Sequence, residues 1–478
     1  MAREEFSSWL LPATLLLVAV VVGGAILATS QAVARNFSLA LYLLANLVVF
    51  VDALDFVLRL YFRRIQGVTT DSSQSGTSVT LNLGRYTEYQ KRLHLRPYAL
   101  VVSVHNAEDH IDAFLEAMEP HRQNLWIIDD ASTDNTCARI RQAGWRILEG
   151  EKNRKKPGAI RKLLETLPPE IETVVVLDPD IAFRTSGAEG LVDIETVIFE
   201  FQRSGMAACC PRIAIRPDGF LARLQGLEYC MAFSLGRMSL ADNSINSGIS
   251  VYRRSALSSA LQRHSLSVYA EDLENATILL GTGERIYYDG RLVVETEGKR
   301  TWRTWFSQRV GWAFGLAKVY TEHFPEIWWV SRKRLSTAYQ FLIYMGGFNL
   351  LLHPLRILGL VILSVSFANG LDILLGLGVI PDWKMAEPVY FLSAHAKFTL
   401  LSFAALFVAV PRGERAHVLP VVPLYFFYIL ALIVPASLGY ADWLSFRFCG
   451  RRIWGDHYED SMLWHHRPRR LAKAMGAP

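Results

Sequence analysis

Apolar residues fill nearly every position from Leu10 to Thr29 and again from Leu39 to Leu60. Each run reaches the roughly 20 residues needed to cross a bilayer core of about 30 Å, so two transmembrane helices are expected within residues 1–66. The first run reads as a span and not as a cleaved leader. Met1–Glu5 holds one Arg against two Glu, and a second apolar run follows at once. Arg59, Arg63 and Arg64 close the second run and return the chain to the cytosol. Asp52 and Asp55 lie inside it and are expected to face protein or water, because lipid penalises a carboxylate. From Gly67 to Tyr86 the chain turns to Ser, Thr, Gly and Asp, which marks residues 67–95 as a linker.

Across residues 96–300 the pattern becomes that of an α/β domain. Tyr98–Val104, Leu125–Ile128 and Val174–Leu177 are short β-branched runs, and helical periodicity covers Ile111–Met118, Ala159–Leu167 and Leu273–Leu280. Strands alternating with helices predict a parallel sheet whose ligands bind beyond the strand C-termini. Residues 301–336 carry Trp302, Trp305, Phe306, Trp312, Phe314, Tyr320, Phe324, Trp328 and Trp329 among Arg and Lys, the pattern of amphipathic helices at a membrane interface.

Three or four further spans are expected in residues 337–445: Ala338–Ala368, broken at His353-Pro354 so that Ile357–Ile380 can serve separately, then Tyr390–Val410 and Val418–Leu438. The tail 446–478 is basic (Arg447, Arg451, Arg452, Arg467, Arg469, Arg470) and is placed in the cytosol. An even total of six spans satisfies both ends but leaves Arg412 and Arg415 on the wrong side. The expected architecture is a cytosolic α/β domain inserted between transmembrane helices of a multi-pass plasma or inner membrane protein, held against membrane lipids.

Composition narrows the classes. With 51% hydrophobic and 20% charged residues the chain excludes intrinsic disorder. A net charge of +5 over 478 residues gives no case for a nucleic-acid partner. Five cysteines without CxxC spacing fit a reducing compartment and imply no zinc site.

Carboxylates carry the chemistry. Asp129-Asp130 follows the second strand and Asp178-Pro179-Asp180 the third, so both clusters converge on one crevice. Carboxylates at i and i+2 can hold a hard cation, Mg²⁺ or Mn²⁺, against a diphosphate, and Pro179 keeps that segment out of a paired central strand. Asn153–Gly158 is a basic loop opening a helix, a phosphate-suited setting in which Lys156 is the chosen cation. Asn246-Ser247-Gly248 precedes a strand, and Glu271-Asp272 opens a helix, where a carboxylate is either a cap or a general base.

The ordered set Asp129-Asp130, Asp178-Pro179-Asp180, Glu271-Asp272 and Gln308-Arg309-Val310-Gly311-Trp312 resembles family 2 glycosyltransferases of the Rossmann-like GT-A fold. Within them it is most similar to membrane-embedded processive synthases of cellulose, chitin and hyaluronan. The resemblance covers Tyr98 to Tyr320. It implies that Asp129 and Asp130 hold the uridine of a UDP-sugar, that Asp178 and Asp180 bind metal and diphosphate, and that Asp272 is the catalytic base. By the same resemblance Lys156, Gln308 and Arg309 serve the donor, while Gly248, Glu271 and Trp312 serve the acceptor. The implied activity is inverting transfer to the growing end of a β-linked polysaccharide, with translocation of the polymer; the alternative is one sugar added to a lipid acceptor. One departure stands out: the usual Gln-x-x-Arg-Trp has Gly311 where its Arg belongs, and Arg309 is the nearby substitute.

Overall fold

The computed structural model of the protein describes residues 37–65, 94–184, 191–265, 269–379 and 387–454. The expected first span, the linker Gly67–Tyr86 and the tail residues Arg467, Arg469 and Arg470 lie outside them. Two compact units emerge: one from residues up to Val57, Ser331–Ala404 and Pro423–Val434, the other from Leu58–Val330, Ala405–Val422 and Pro435 onward.

The second unit is built on an eight-stranded sheet: β1 (Tyr98–Val104), β2 (Leu125–Asp129), β3 (Ile147–Glu149), β4 (Thr173–Leu177), β5 (Ile181–Phe183), β6 (Ala208–Ile215), β7 (Ser250–Arg253) and β8 (Ile286–Thr296), in the order β3-β2-β1-β4-β7-β6-β8-β5. β1 and β4 are apolar at almost every position and buried on both faces, as strands covered by helices must be. The helices are α1 (Phe37–Ile65), α2 (Ile111–Met118), α3 (Thr136–Gln142), α4 (Lys155–Thr166), α5 (Ile194–Ser204), α6 (Phe220–Cys230), α7 (Arg254–Arg263), α8 (Glu271–Gly281), α9 (Trp302–Glu322), α10 (Phe324–Ser331), α11 (His353–Leu375), α12 (Pro388–Ala409) and α13 (Tyr425–Cys449). α6 runs on into a wider π-type turn, Met231–Arg237.

The parallel sheet expected from the strand–helix alternation holds for half of it. β3, β2, β1 and β4 are parallel, but β7 runs antiparallel to β4 and to β6, and β5 antiparallel to β8. A short apolar run carries no direction, so the pattern could not distinguish these pairs. The reversal matters: Ser250 of β7 pairs with Val176 near the end of β4, which sets Gly248 beside Asp178.

Four helices among the described residues are long and apolar enough to cross a membrane: Leu39–Ile65, His353–Leu375, Pro388–Ala409 and Arg412–Cys449. Polar side chains pair across helices of the first unit. Tyr339 Oη donates to Asp55 Oδ1 at 2.8 Å, and Lys397 Nζ to Tyr42 Oη at 2.8 Å. The break expected at His353-Pro354 is the first turn of α11, where proline loses nothing by lacking an N–H. Arg412 and Arg415 lie in a segment that groups with the sheet. Glu414 between them accepts from Arg212 Nη1 at 3.0 Å and from Arg184 Nη1 at 2.5 Å, so this turn belongs to the unit that holds the sheet.

Candidate active site

One helix start organises the site. The backbone N–H of Arg154, preceding α4, donates to Asp130 Oδ1 at 2.7 Å. Two residues on, Lys156 Nζ donates to Asp178 Oδ1 at 2.5 Å and to the Gly248 carbonyl at 2.9 Å, with Glu271 Oε1 at 3.3 Å. The ends of β2 and β4, the turn before β7 and the start of α8 therefore meet at the N-terminus of α4, which favours anions by its N–H groups and dipole. A cleft between them is lined by Lys156, Ser247, Gly248, Tyr252, Glu271, Asp272 and Asn275. Backbone strain gathers in the same place: of the five described non-glycine residues with positive φ, Asn106, Ala131, Lys155 and Ala270 sit at these junctions.

Asp129 and Asp130 are buried, at 3% and 2% exposure. Asp129 Oδ2 accepts from Ser132 N–H at 3.0 Å, and Asp129 Oδ1 has no partner among the described residues. Burial pushes the Asp130 carboxyl up, against the Arg154 N–H. Asp180 Oδ2 accepts from Thr296 Oγ1 at 3.1 Å. Gly248 lies close against the pair: a Cβ there would fall 2.9 Å from Asp178 Oδ2 and 3.2 Å from Lys156 Nζ, so those side-chain ends would have to move.

Electrostatics mark the cleft as short of positive charge. Burial raises the Glu271 carboxyl to about 7, with Lys156 opposing and the charges of Asp272 and Asp178 adding. Asp272 is raised by burial, with Arg237 as its strongest opposing neighbour. Burial and Asp178 together raise Asp180. Burial works against the Lys156 ammonium, but Asp178 and Glu271 outweigh it and hold the charge. Asp178, Glu271 and Asp272 thus crowd around one half-buried ammonium, with Asp180 in electrostatic range of Asp178, and the oxygens of Asp178 and Asp180 suit a hard divalent cation. No three His, Cys, Asp or Glu side chains form a closed cage among the described residues. A cation here would take its remaining ligands from diphosphate and water.

The residues of the Gln-x-x-x-Trp segment lie on α9. Gln308 is half-buried on α9. Arg309 is buried, donates to Glu228 Oε2 at 2.6 Å and lies 3.9 Å from the centre of the Trp312 ring. Glu228 and the Trp312 ring are thus the neighbours that hold its guanidinium. Trp312 is 39% exposed and neighbours Tyr229, which stacks on Phe233 at 5.9 Å. Gly311 has its own explanation. A Cβ there would fall 2.2 Å from Tyr269 Cε1, and one on Gly315 would meet Ala270 Cβ at 2.7 Å. These two glycines let α9 seat the dipeptide that immediately precedes Glu271-Asp272.

Sequence reasoning missed Arg237, Glu228, Tyr229, Tyr269 and Thr296. None carries a local motif; each earns its place through contacts between distant segments.

Residues 99–257 match the model of Glycosyl transferase family 2. No curated protein sequence matches the chain. Similar solved structures include the mannosyltransferase PcManGT from Pyrobaculum calidifontis in complex with GDP-Man and Mn²⁺, at 14% identity and TM-score 0.45, covering 83% of this chain and 98% of that one. Glucosyl-3-phosphoglycerate synthase from Mycobacterium tuberculosis, in complex with Mn²⁺, UDP-glucose and phosphoglyceric acid, is similar at 16% identity and TM-score 0.34, covering 50% and 86%. From β1 into α7, where the strand-end acids and the basic helix start converge, the chain carries a family 2 glycosyl transferase domain.

Proposed function

We propose that the protein is a membrane-bound inverting glycosyltransferase that moves a sugar from a UDP-sugar to the hydroxyl of an acceptor presented at the membrane. The observation that carries this reading is the convergence on Lys156 of Asp178, Glu271 and the Gly248 turn, with Asp272 in the same cleft. Asp129 and Asp130 hold the nucleoside, and Lys156 faces the diphosphate. Asp178 and Asp180 would hold Mg²⁺ or Mn²⁺, which when bound neutralises charge on the leaving diphosphate; the similar enzymes above are solved with Mn²⁺. Asp272 takes the proton of the acceptor hydroxyl. That oxygen bonds to the anomeric carbon from the face opposite the leaving group, and the bond to the diphosphate breaks with its electron pair departing on UDP.

Addition of one sugar to a lipid acceptor is the reading the geometry favours. The processive synthases that the chain resembles carry an arginine where this chain has Gly311, and Arg309 pairs with Glu228. Elongation and translocation of a polysaccharide is the second reading, supported by the half-open Trp312 face beside Tyr229, on which a sugar ring can stack. Purified full-length protein incubated with labelled UDP- and GDP-sugars tests both. We expect UDP release that needs Mn²⁺ or Mg²⁺, stops with EDTA and is lost in Asp180→Ala and Asp272→Asn, with a product the size of a glycolipid. Long polymer would favour the second reading. No nucleoside diphosphate release from any donor would sink the transferase reading itself.

A further inference from the structure

Beyond the cleft, towards the C-terminal end of α1, lies a row of buried polar groups that the transfer chemistry leaves unused. Asn246, wholly buried, precedes the cleft residues Ser247 and Gly248, and neither its Nδ2 nor its Oδ1 has a hydrogen-bond partner among the described residues. Half-buried Arg237 donates from Nη2 to the Asn246 carbonyl at 3.2 Å and from Nη1 to the Ala232 carbonyl at 3.5 Å; its guanidinium lies 4.2 Å from the centre of the Phe233 ring, and its Nε is buried without a partner. Next to it, Arg59 Nη1 donates to the Gly236 carbonyl at 3.4 Å. One helical turn on, and so on the same face of α1, Arg63 is 6% exposed with Nε and Nη1 both unpartnered. It lies within electrostatic range of Tyr288, whose ring is 6.4 Å from that of Phe233. Neither Arg63 nor Arg237 forms an ion pair among the described residues.

Buried guanidinium groups with open N–H donors are costly unless an anion completes them. The forked geometry of arginine matches phosphate oxygens, which accept two N–H bonds at once. We infer that the acceptor carries a phosphate or diphosphate group, bound by Arg63, Arg59 and Arg237 on the far side of Asp272 from the nucleotide. This rests on the transferase reading above and deepens it. The phosphate stays intact through the reaction: it positions the acceptor, and the attacking oxygen is the hydroxyl at Asp272. A lipid-linked sugar diphosphate and a soluble sugar phosphate share this chemistry.

The test uses full-length protein in detergent with a labelled donor that the enzyme hydrolyses, and three acceptors carrying the same sugar. These are a polyprenyl-diphosphate-linked sugar, the sugar 1-phosphate, and an alkyl glycoside without phosphate, each made with glucose and with N-acetylglucosamine. Label is expected on the phosphate-bearing acceptors at least tenfold faster than on the alkyl glycosides. Preference for the first over the second identifies a lipid source, and the reverse a soluble one. Arg63→Gln should raise KM for the phosphate-bearing acceptor at least tenfold while donor hydrolysis without acceptor stays within twofold. Arg63→Met, which removes an uncompensated buried charge, should keep or raise the melting temperature. Equal labelling of the alkyl glycosides, no label on either phosphate-bearing acceptor despite donor hydrolysis, or an unchanged acceptor KM in Arg63→Gln would each overturn the inference. Absence of donor hydrolysis would instead overturn the transferase reading beneath it.

Discussion

Gly311 shows how a single missing atom can report on a neighbour. The family pattern places an arginine at this position, yet any side chain there enters the space of the Tyr269 ring, whose nearest atom would lie 2.2 Å from the new Cβ. Tyr269 and the strained Ala270 lead straight into Glu271-Asp272, so displacing them displaces the proposed base. Gly311→Ala is therefore expected to lower kcat at least tenfold and to cost about 1–3 kcal/mol of stability through overpacking, read from steady-state kinetics and thermal melting. Gly248→Ala acts on the other wall of the cleft. It crowds Asp178 and Lys156 and should raise the donor KM more than it lowers kcat. Asp272→Asn should cost roughly 10²–10⁴ in kcat with donor KM little changed. The pH profile follows from the same cleft. Burial raises Asp272 and takes Glu271 to about 7, and the proposed base works only when deprotonated. The kcat/KM of the metal-loaded enzyme should therefore fall as pH drops below neutrality. Glu271→Gln, by removing a like charge, should move that fall to lower pH.

At the scale of elements, α8 and α9 are joined behind the site by a buried charge cluster. Glu274 of α8 has no exposure; it accepts from Ser265 N–H at 2.7 Å, and His323 Nε2 lies 3.0 Å from it, with Lys318 of α9 at 3.6 Å. Burial would raise this carboxyl, but His323 and the charges of His264 and Lys318 outweigh it and hold it well below the ordinary range. A carboxyl depressed in the folded state adds stability above its unfolded pKa and loses it as pH falls through the folded one. This contribution is thus complete at neutral pH and fades on acidification past the ordinary carboxylate range. Glu274→Gln leaves Lys318 with Glu322 as its acidic partner and should cost roughly 3 kcal/mol, seen as a lower melting temperature at pH 7 whose deficit shrinks in acid. α9 was legible as an amphipathic helix from its aromatics. Its second duty, seating the start of α8 through Gly311 and Gly315, was not, because a helix reads as apolar or polar by its side chains and a glycine face by their lack.

For the whole molecule, Glu414 connects a segment between apolar helices to the catalytic sheet through Arg184 and Arg212. Arg212 is 5% exposed, and Glu414→Gln removes its carboxylate and weakens that tie. We expect a loss of about 3 kcal/mol and a fall in transferase activity that a substitution at the exposed Arg96–Glu172 pair would not produce, measured by melting and UDP release on the same preparations. Counting spans left Arg412 and Arg415 in conflict with the rest of the chain, and the pairing of Glu414 shows which unit this turn joins.

Local pattern was enough for the strands β1, β2 and β4, the helix Ile111–Met118 and the acidic strand ends, because burial on both faces and the turn into a crossover helix leave a direct mark on residue type. It was enough, too, to put Lys156 at a helix start, since a basic helix start is read from neighbours in the chain. Strand direction, the commitment of Arg309 to Glu228, the reason for Gly311 and the arginine row beside Asn246 were decided by tertiary structure. Each depends on which distant backbone comes within a few ångströms, and hydrophobic periodicity fixes what is buried without fixing what it is buried against.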